Sequence, residues 1–175
     1  MSHFYTFGLK ATTSDLTIKN IILEYNIKCI LDVRPNPFDA NQYSLTNNQL
    51  QDTFCVKTTK KKNGKKYSKK YIKKNNNESK YVHNKQLSSL NSLKKLKKNQ
   101  FCDIMNQYQK PLLILGPNSN IAKDNIRGVI SNKIFITKLN GDKPIIHLKA
   151  INDSNKFNQV KHILIPYLLK YELNY

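Results

Sequence analysis

Short apolar runs and stretches of helical spacing take turns along this chain, the pattern of strands covered on both faces by the helices between them. Residues 4–7 (Phe-Tyr-Thr-Phe) form a β-rich run ended by Gly8. Ser14-Asp15 then offers a helix cap, and Leu16, Ile18, Ile21, Ile22 and Tyr25 recur at helical spacing. Residues 28–33 (Lys-Cys-Ile-Leu-Asp-Val) read as a buried strand. Strand, helix and strand in this order predict a βαβ unit, a parallel pair joined by a right-handed crossover. Arg34-Pro35-Asn36-Pro37 stops the second strand, because neither proline can donate to a ladder and each pushes its predecessor out of helical geometry.

Residues 46–56 predict a short helix, whereas 57–77 hold almost no aliphatic side chains and supply no core face. Tyr81-Val82-His83 predicts a return strand. A polar helix follows over 86–108, with Leu87, Leu90, Leu93, Leu96 and Ile104 inward and Lys94, Lys95, Lys97 and Lys98 outward. Residues 111–115 (Pro-Leu-Leu-Ile-Leu) are the clearest buried strand. They lead through Gly116-Pro117-Asn118-Ser119-Asn120 to a helix over 121–131, a second α/β unit. Residues 133–139 and 144–148 read as strands about Asn140-Gly141, a hairpin signal, and 157–173 as a closing helix interrupted near Pro166. The prediction is a single α/β domain over 1–175, with a mostly parallel central sheet flanked by helices and an insertion at 57–80. A length of 175 residues with 39% hydrophobic side chains suits one domain with a sizeable core.

Charge changes this picture in one place. Sixteen lysines stand against one acidic residue, Glu78, between Lys57 and Lys98, which carries +15 of the formal +19. Lysine outnumbers arginine 28 to 2 and asparagine reaches 23, a bias that an AT-rich genome produces unaided. Such bias does not explain why acidic residues vanish from this segment alone. A concentrated basic field is the footprint of a polyanionic partner, here nucleic acid. The candidate contacts are Lys60, Lys61, Lys62, Lys65, Lys66, Lys69, Lys70, Lys73 and Lys74, with Tyr67 and Tyr71 placed for stacking, helped by Lys94, Lys95, Lys97 and Lys98. Lysine pairs at 61/62, 65/66, 69/70 and 73/74 repeat every four residues, so a helix here would carry one basic stripe. Lysine without arginine points to backbone contact with low sequence specificity. A nuclear import signal at 60–66, an acidic protein partner and adsorption to an acidic membrane are the rival uses; bulky apolar anchors for the last are missing.

Tyr5-Thr6-Phe7-Gly8, then Leu31-Asp32-Val33-Arg34 with Pro37 after it, then Tyr81-Val82-His83, then an apolar strand leading to Arg127, resemble the domain-of-unknown-function family numbered 488 over residues 4–139. Members usually have Gly-His-Ser after the first strand, where this chain has Gly8-Leu9-Lys10. Their Cys-Ala-Glu and Cys-His-Arg are here Ile114-Leu115-Gly116 and Asn125-Ile126-Arg127. The resemblance thus implies a polar cluster reduced to Asp32, Arg34, His83 and Arg127, and makes 57–80 an insertion ahead of the Tyr-Val-His strand.

Asp32 and Arg34 fall at the carboxyl end of a predicted parallel strand, where open α/β sheets place ligands. Arg34 and Arg127 could hold a phosphate or carboxylate while Asp32 or His83 moves a proton, as in an enzyme acting on nucleotides or nucleic acid. Alternatively, Asp32 pairs with one arginine to organise the loops. These are the chain's only arginines, so planar bidentate geometry is needed at both positions whichever partner each has. Gly116-Pro-Asn-Ser-Asn120 could present backbone N–H groups to a phosphate or be an ordinary turn, and it carries neither a Walker loop nor a dinucleotide fingerprint.

Cys29, Cys55 and Cys102 are odd in number and lack CxxC or histidine neighbours, so neither a disulfide framework nor a metal site is expected. His3, His147 and His162 have no partner at catalytic spacing. No cofactor is expected. The absence of a charged leader before an apolar core, or of a run near the ~20 residues that span a bilayer, predicts an intracellular protein outside the membrane.

Overall fold

A computed structural model of the chain describes residues 2–54, 58–59, 70–71, 80–152 and 156–172. Its strands are β1 (Phe4–Gly8), β2 (Cys29–Asp32), β3 (Thr58–Thr59), β4 (Lys70–Tyr71), β5 (Lys80–His83), β6 (Leu112–Gly116), β7 (Ile146–Ala150) and β8 (Phe157–Lys161). Its helices are α1 (Asp15–Tyr25), α2 (Asn47–Phe54), α3 (Leu90–Lys95), α4 (Lys98–Asn106) and α5 (Asn125–Thr137), with 3-10 turns at Ile121–Lys123 and Pro166–Glu172. Among the described residues the main sheet has six strands in the order β5-β2-β6-β1-β7-β8. The first five run parallel and β8 alone is antiparallel, so the fold is α/β with a mostly parallel sheet, as expected.

Alternate strand residues face opposite sides. Tyr5, Phe7, Ile30, Leu113 and Leu115 therefore pack under Ile18, Ile21 and Ile22 of α1 and Leu50 of α2. Phe4, Leu31, Leu112 and Ile114 pack under Leu93 of α3, Phe101 and Met105 of α4, and Val129, Ile130 and Ile134 of α5. Both faces of β6 are covered, which is why its run is apolar throughout. The neighbouring strands β1 and β6 send their following helices to opposite faces, and that divergence opens a crevice at their carboxyl ends.

Several expectations are corrected. β1 and β2 are parallel but not adjacent, because the most apolar strand, β6, takes the position between them. Residues 133–137 are the last turns of α5 and not a strand. Ile126, Val129, Ile130 and Ile134 bury one helical face there, and that burial overrides the β propensity of isoleucine and threonine. Asn140-Gly141 consequently joins a helix to a strand; Gly141 takes φ +58° in that turn. The closing segment is not a helix either: β8 pairs with β7 after a turn at Asn152 (φ 48°), and Pro166 then starts a 3-10 turn. The polar helix over 86–108 is two helices, broken where Leu96 is extended so that its side chain reaches the core. Leu16, assigned to the buried stripe of α1, is 56% exposed, being two residues and so roughly 200° from Ile18.

In the lysine-rich segment Lys70–Tyr71 pairs antiparallel with Thr58–Thr59, so the basic helix does not hold at Lys70 and Tyr71. Like charges at helical i,i+4 spacing oppose that helix, while β-branched threonines suit a ladder. Lys60, Lys61, Lys62, Lys65, Lys66, Tyr67, Lys69, Lys73 and Lys74 lie outside the described residues.

Candidate functional site

The sequence-named polar residues divide into two clusters on opposite faces of the sheet, at its carboxyl end. Ile30 packs toward α1, so Asp32, two residues on, projects to the same side. Its carboxylate accepts from Arg34 Nε (3.0 Å) and Nη2 (2.8 Å), from the Arg34 backbone N–H (3.1 Å), and from the Tyr81 hydroxyl of β5 (2.6 Å). Arg34 Nη1 donates to Leu45 O at 2.6 Å, fastening the proline-bounded loop, and the guanidinium carbon stands 4.5 Å above the Tyr43 ring. Both side chains are fully buried. Burial, reinforced by the Asp32 carboxylate, holds the Tyr81 phenol far above its ordinary pKa, so it remains a donor.

Arg127 belongs to α5 and the other face. Its Nε donates to Asp124 Oδ2 (2.7 Å), Nη1 to Thr6 Oγ1 (2.9 Å) and Nη2 to Asn118 O (2.6 Å). Asp124 also caps α5 through the Arg127 backbone N–H (3.0 Å) and holds Asn118 N (3.2 Å). The guanidinium lies where Gly8 and Gly116 bring no side chain: a Cβ on Gly8 would overlap Asn118 O, and one on Gly116 would overlap the Asp124 carboxylate. Burial lowers the pKa of Arg127 and Asp124 opposes that shift.

The two arginines therefore do not converge. Asp32 pairs with Arg34, Arg127 pairs with Asp124, and Tyr43 spans the gap by stacking on Arg34 while its hydroxyl reaches Pro117 O at 3.4 Å. The turn over 116–120 is organised internally, since Asn118 N is taken by Asp124 and Asn120 N by the Asn118 side chain (2.9 Å). His83 is only partly buried; its Nε2 lies 3.1 Å from Arg34 O and 3.2 Å from Ser88 Oγ. Lys94, Lys95, Lys97 and Lys98 are exposed on α3, α4 and the break between them.

Sequence spacing missed one network. His147 on β7 lies opposite Thr6 on β1, with Nδ1 2.6 Å from Thr6 Oγ1. His147 Nε2 is 2.9 Å from His162 Nδ1, and His162 Nε2 is 2.9 Å from Asn132 Oδ1. The Ile165 backbone fixes the amide of Asn132, its N–H donating to Oδ1 (3.0 Å) and its C=O accepting from Nδ2 (3.1 Å). Oδ1 is thus an acceptor, so His162 carries its proton on Nε2 and accepts on Nδ1. His147 then donates from Nε2 and accepts on Nδ1, which the Thr6 hydroxyl fills while its oxygen takes the Arg127 proton. With both rings neutral, donors point one way from Arg127 to Asn132. Burial, with the His162 ring and the Arg127 charge, pushes His147 down to about 3; burial pushes His162 to about 4. The available sequence signal was a polar residue interrupting each apolar strand, Thr6 in Phe-Tyr-Thr-Phe and His147 in Ile-Ile-His-Leu.

Among the described residues no group of three or more His, Cys, Asp or Glu side chains could hold a metal ion, and no helix is long and apolar enough to cross a membrane. Comparison with protein-family models, curated proteins and solved structures finds no match in any of the three.

Proposed function

We propose that this protein binds nucleic acid through the phosphate backbone, with low sequence specificity, using the lysine-rich segment from Lys60 to Lys74 and the exposed lysines at 94, 95, 97 and 98. The observation that carries this reading is the division of labour among cations. Both arginines spend every side-chain nitrogen on internal acceptors. The net positive charge instead gathers in one segment, +15 of +19 between Lys57 and Lys98. Lysine ammonium groups suit phosphate as mobile point charges and make no bidentate demand on a base edge. The competing pocket chemistry would need Arg34 and Arg127 to leave buried carboxylates, at a cost of several kcal/mol.

Fluorescence anisotropy with duplex DNA, single-stranded DNA and RNA over a salt series tests the reading. For about five phosphates contacted on duplex, log affinity falls with log salt at a slope of about −4.5, and neutralising Lys60 to Lys74 flattens it. Binding to none of the three at low salt overturns the proposal.

A further inference from the structure

At the carboxyl ends of β1 and β7 lies a cavity of about 410 Å³ that none of Asp32, Arg34, His83 and Arg127 lines. It sits beside the crevice where the chain leaves β1 and β6 toward opposite faces, the position at which open parallel sheets hold small ligands. Its volume falls within the roughly 300–1,000 Å³ typical of such sites. Its apolar lining comes from Phe7, Leu16 and Ala150. Thr12, Thr13, Ser14 and Thr17 line it from the β1–α1 side, and Ser119 from the turn after β6.

Two cations, Lys10 and Lys149, also line this cavity, and among the described residues no acidic one does. Neither lysine has a carboxylate partner among the described residues, where the ion pairs are Lys19–Asp15, Arg34–Asp32 and Arg127–Asp124. The two come from separate elements, the β1–α1 loop and the end of β7. The Ser14 hydroxyl turns to Thr17 (3.3 Å) and caps no backbone N–H, so the first turn of α1 adds open donors to a concavity already set by the walls and the lysines. We propose that this cavity is a binding site for a small phosphate monoester of mononucleotide size, its phosphate held by Lys10, Lys149 and the loop hydroxyls and its organic part over Phe7 and Ala150. The proposal does not rest on the lysine-rich segment and stands whether or not that segment binds nucleic acid.

Calorimetric titration of the full chain at 0.15 M salt with AMP, inorganic phosphate and adenosine tests this. It is repeated on Lys10→Gln/Lys149→Gln and on a variant with Lys94, Lys95, Lys97 and Lys98 changed to glutamine. Saturable AMP binding at one site, weakened about tenfold or more in the first variant and unchanged in the second, is expected for lost charge-assisted contacts. Inorganic phosphate following the same pattern also supports the site. Adenosine binding as well as AMP, AMP affinity unaffected by the Lys10/Lys149 change, or no saturable binding by any of the three overturns it.

Discussion

The two arginine sites hold the same chemistry in different frames. Arg34 is bound largely within its own loop: Asp32 lies two residues before it and Leu45 O eleven after, while Tyr81 and His83 reach the pair from the single neighbouring strand β5. Arg127 is held by an aspartate three residues away but ties together elements distant in sequence, since Thr6 on β1 and Asn118 after β6 take its other nitrogens. The first site fastens one loop to the sheet. The second joins helix, two strands and, through the histidines, the segment at Ile165. A guanidinium serves in both places because it presents several donors in a fixed plane, which lysine cannot.

The largest effect should come from stranding either charge. Asp32→Ala and Asp124→Ala each leave a buried guanidinium without its counter-ion, and urea denaturation should show a loss of about 3–5 kcal/mol. Asp124→Ala should be the worse by about 1 kcal/mol, because it also removes the cap of α5. Replacing both partners of the local site, Asp32→Leu with Arg34→Met, should recover most of that loss. Equal losses for the two alanine variants would remove the distinction between the sites.

Acidification should separate them next, since only Arg127 connects to the histidine chain. His147 and His162 titrate at about 3 and about 4 in the folded protein, against about 6.5 unfolded. The unfolded state therefore binds more protons between these limits. Stability is at its full value above pH 6.5 and falls as pH drops toward 4, by about 1.4 kcal/mol per pH unit for each ring. His162→Phe should roughly halve the slope of stability against pH between 6 and 5; an unchanged slope would remove the neutral chain from the explanation.

Gly116→Ala should cost about 1–3 kcal/mol by overpacking, through its clash with Asp124 and the Arg127 stem. Exchanging Lys94, Lys95, Lys97 and Lys98 for glutamine should move stability by no more than about 0.5 kcal/mol per site, while weakening nucleic-acid binding measured by anisotropy.

What the sequence makes legible follows from where side chains act. The parallel α/β class was readable because β6 carries a continuous apolar run, β1 and β2 runs apolar but for Thr6 and Asp32, and α1 a clear stripe at Ile18, Ile21, Ile22 and Tyr25. Strand order was not, because burial of Leu112 to Gly116 on both faces decides which strand is central, and that is a property of the assembled sheet. Local propensity failed over residues 133–137, where burial of Ile134 outweighs β preference, and over 157–161, where pairing with β7 outweighs an apparent helical spacing. For the candidate site, the scarcity of arginine singled out Arg34 and Arg127, whose guanidinium groups are buried on internal carboxylates. It could not say that each faces inward, because Thr6 and Asn118 are reached across 121 and 9 positions of sequence. The histidine chain escaped for the same reason, its rings lying 15 residues apart, one on β7 and the other just past the end of β8.

Having only two arginines gives the most direct measurement, a proton–nitrogen spectrum of the arginine Nε–H groups with and without a DNA oligonucleotide. Two sharp, slowly exchanging signals that stay in place when DNA is added, while lysine signals shift, are the predicted result. An Nε–H signal that exchanges rapidly with water in the free protein, or moves on addition of DNA, would contradict the inward role of the arginines and return them to the binding surface.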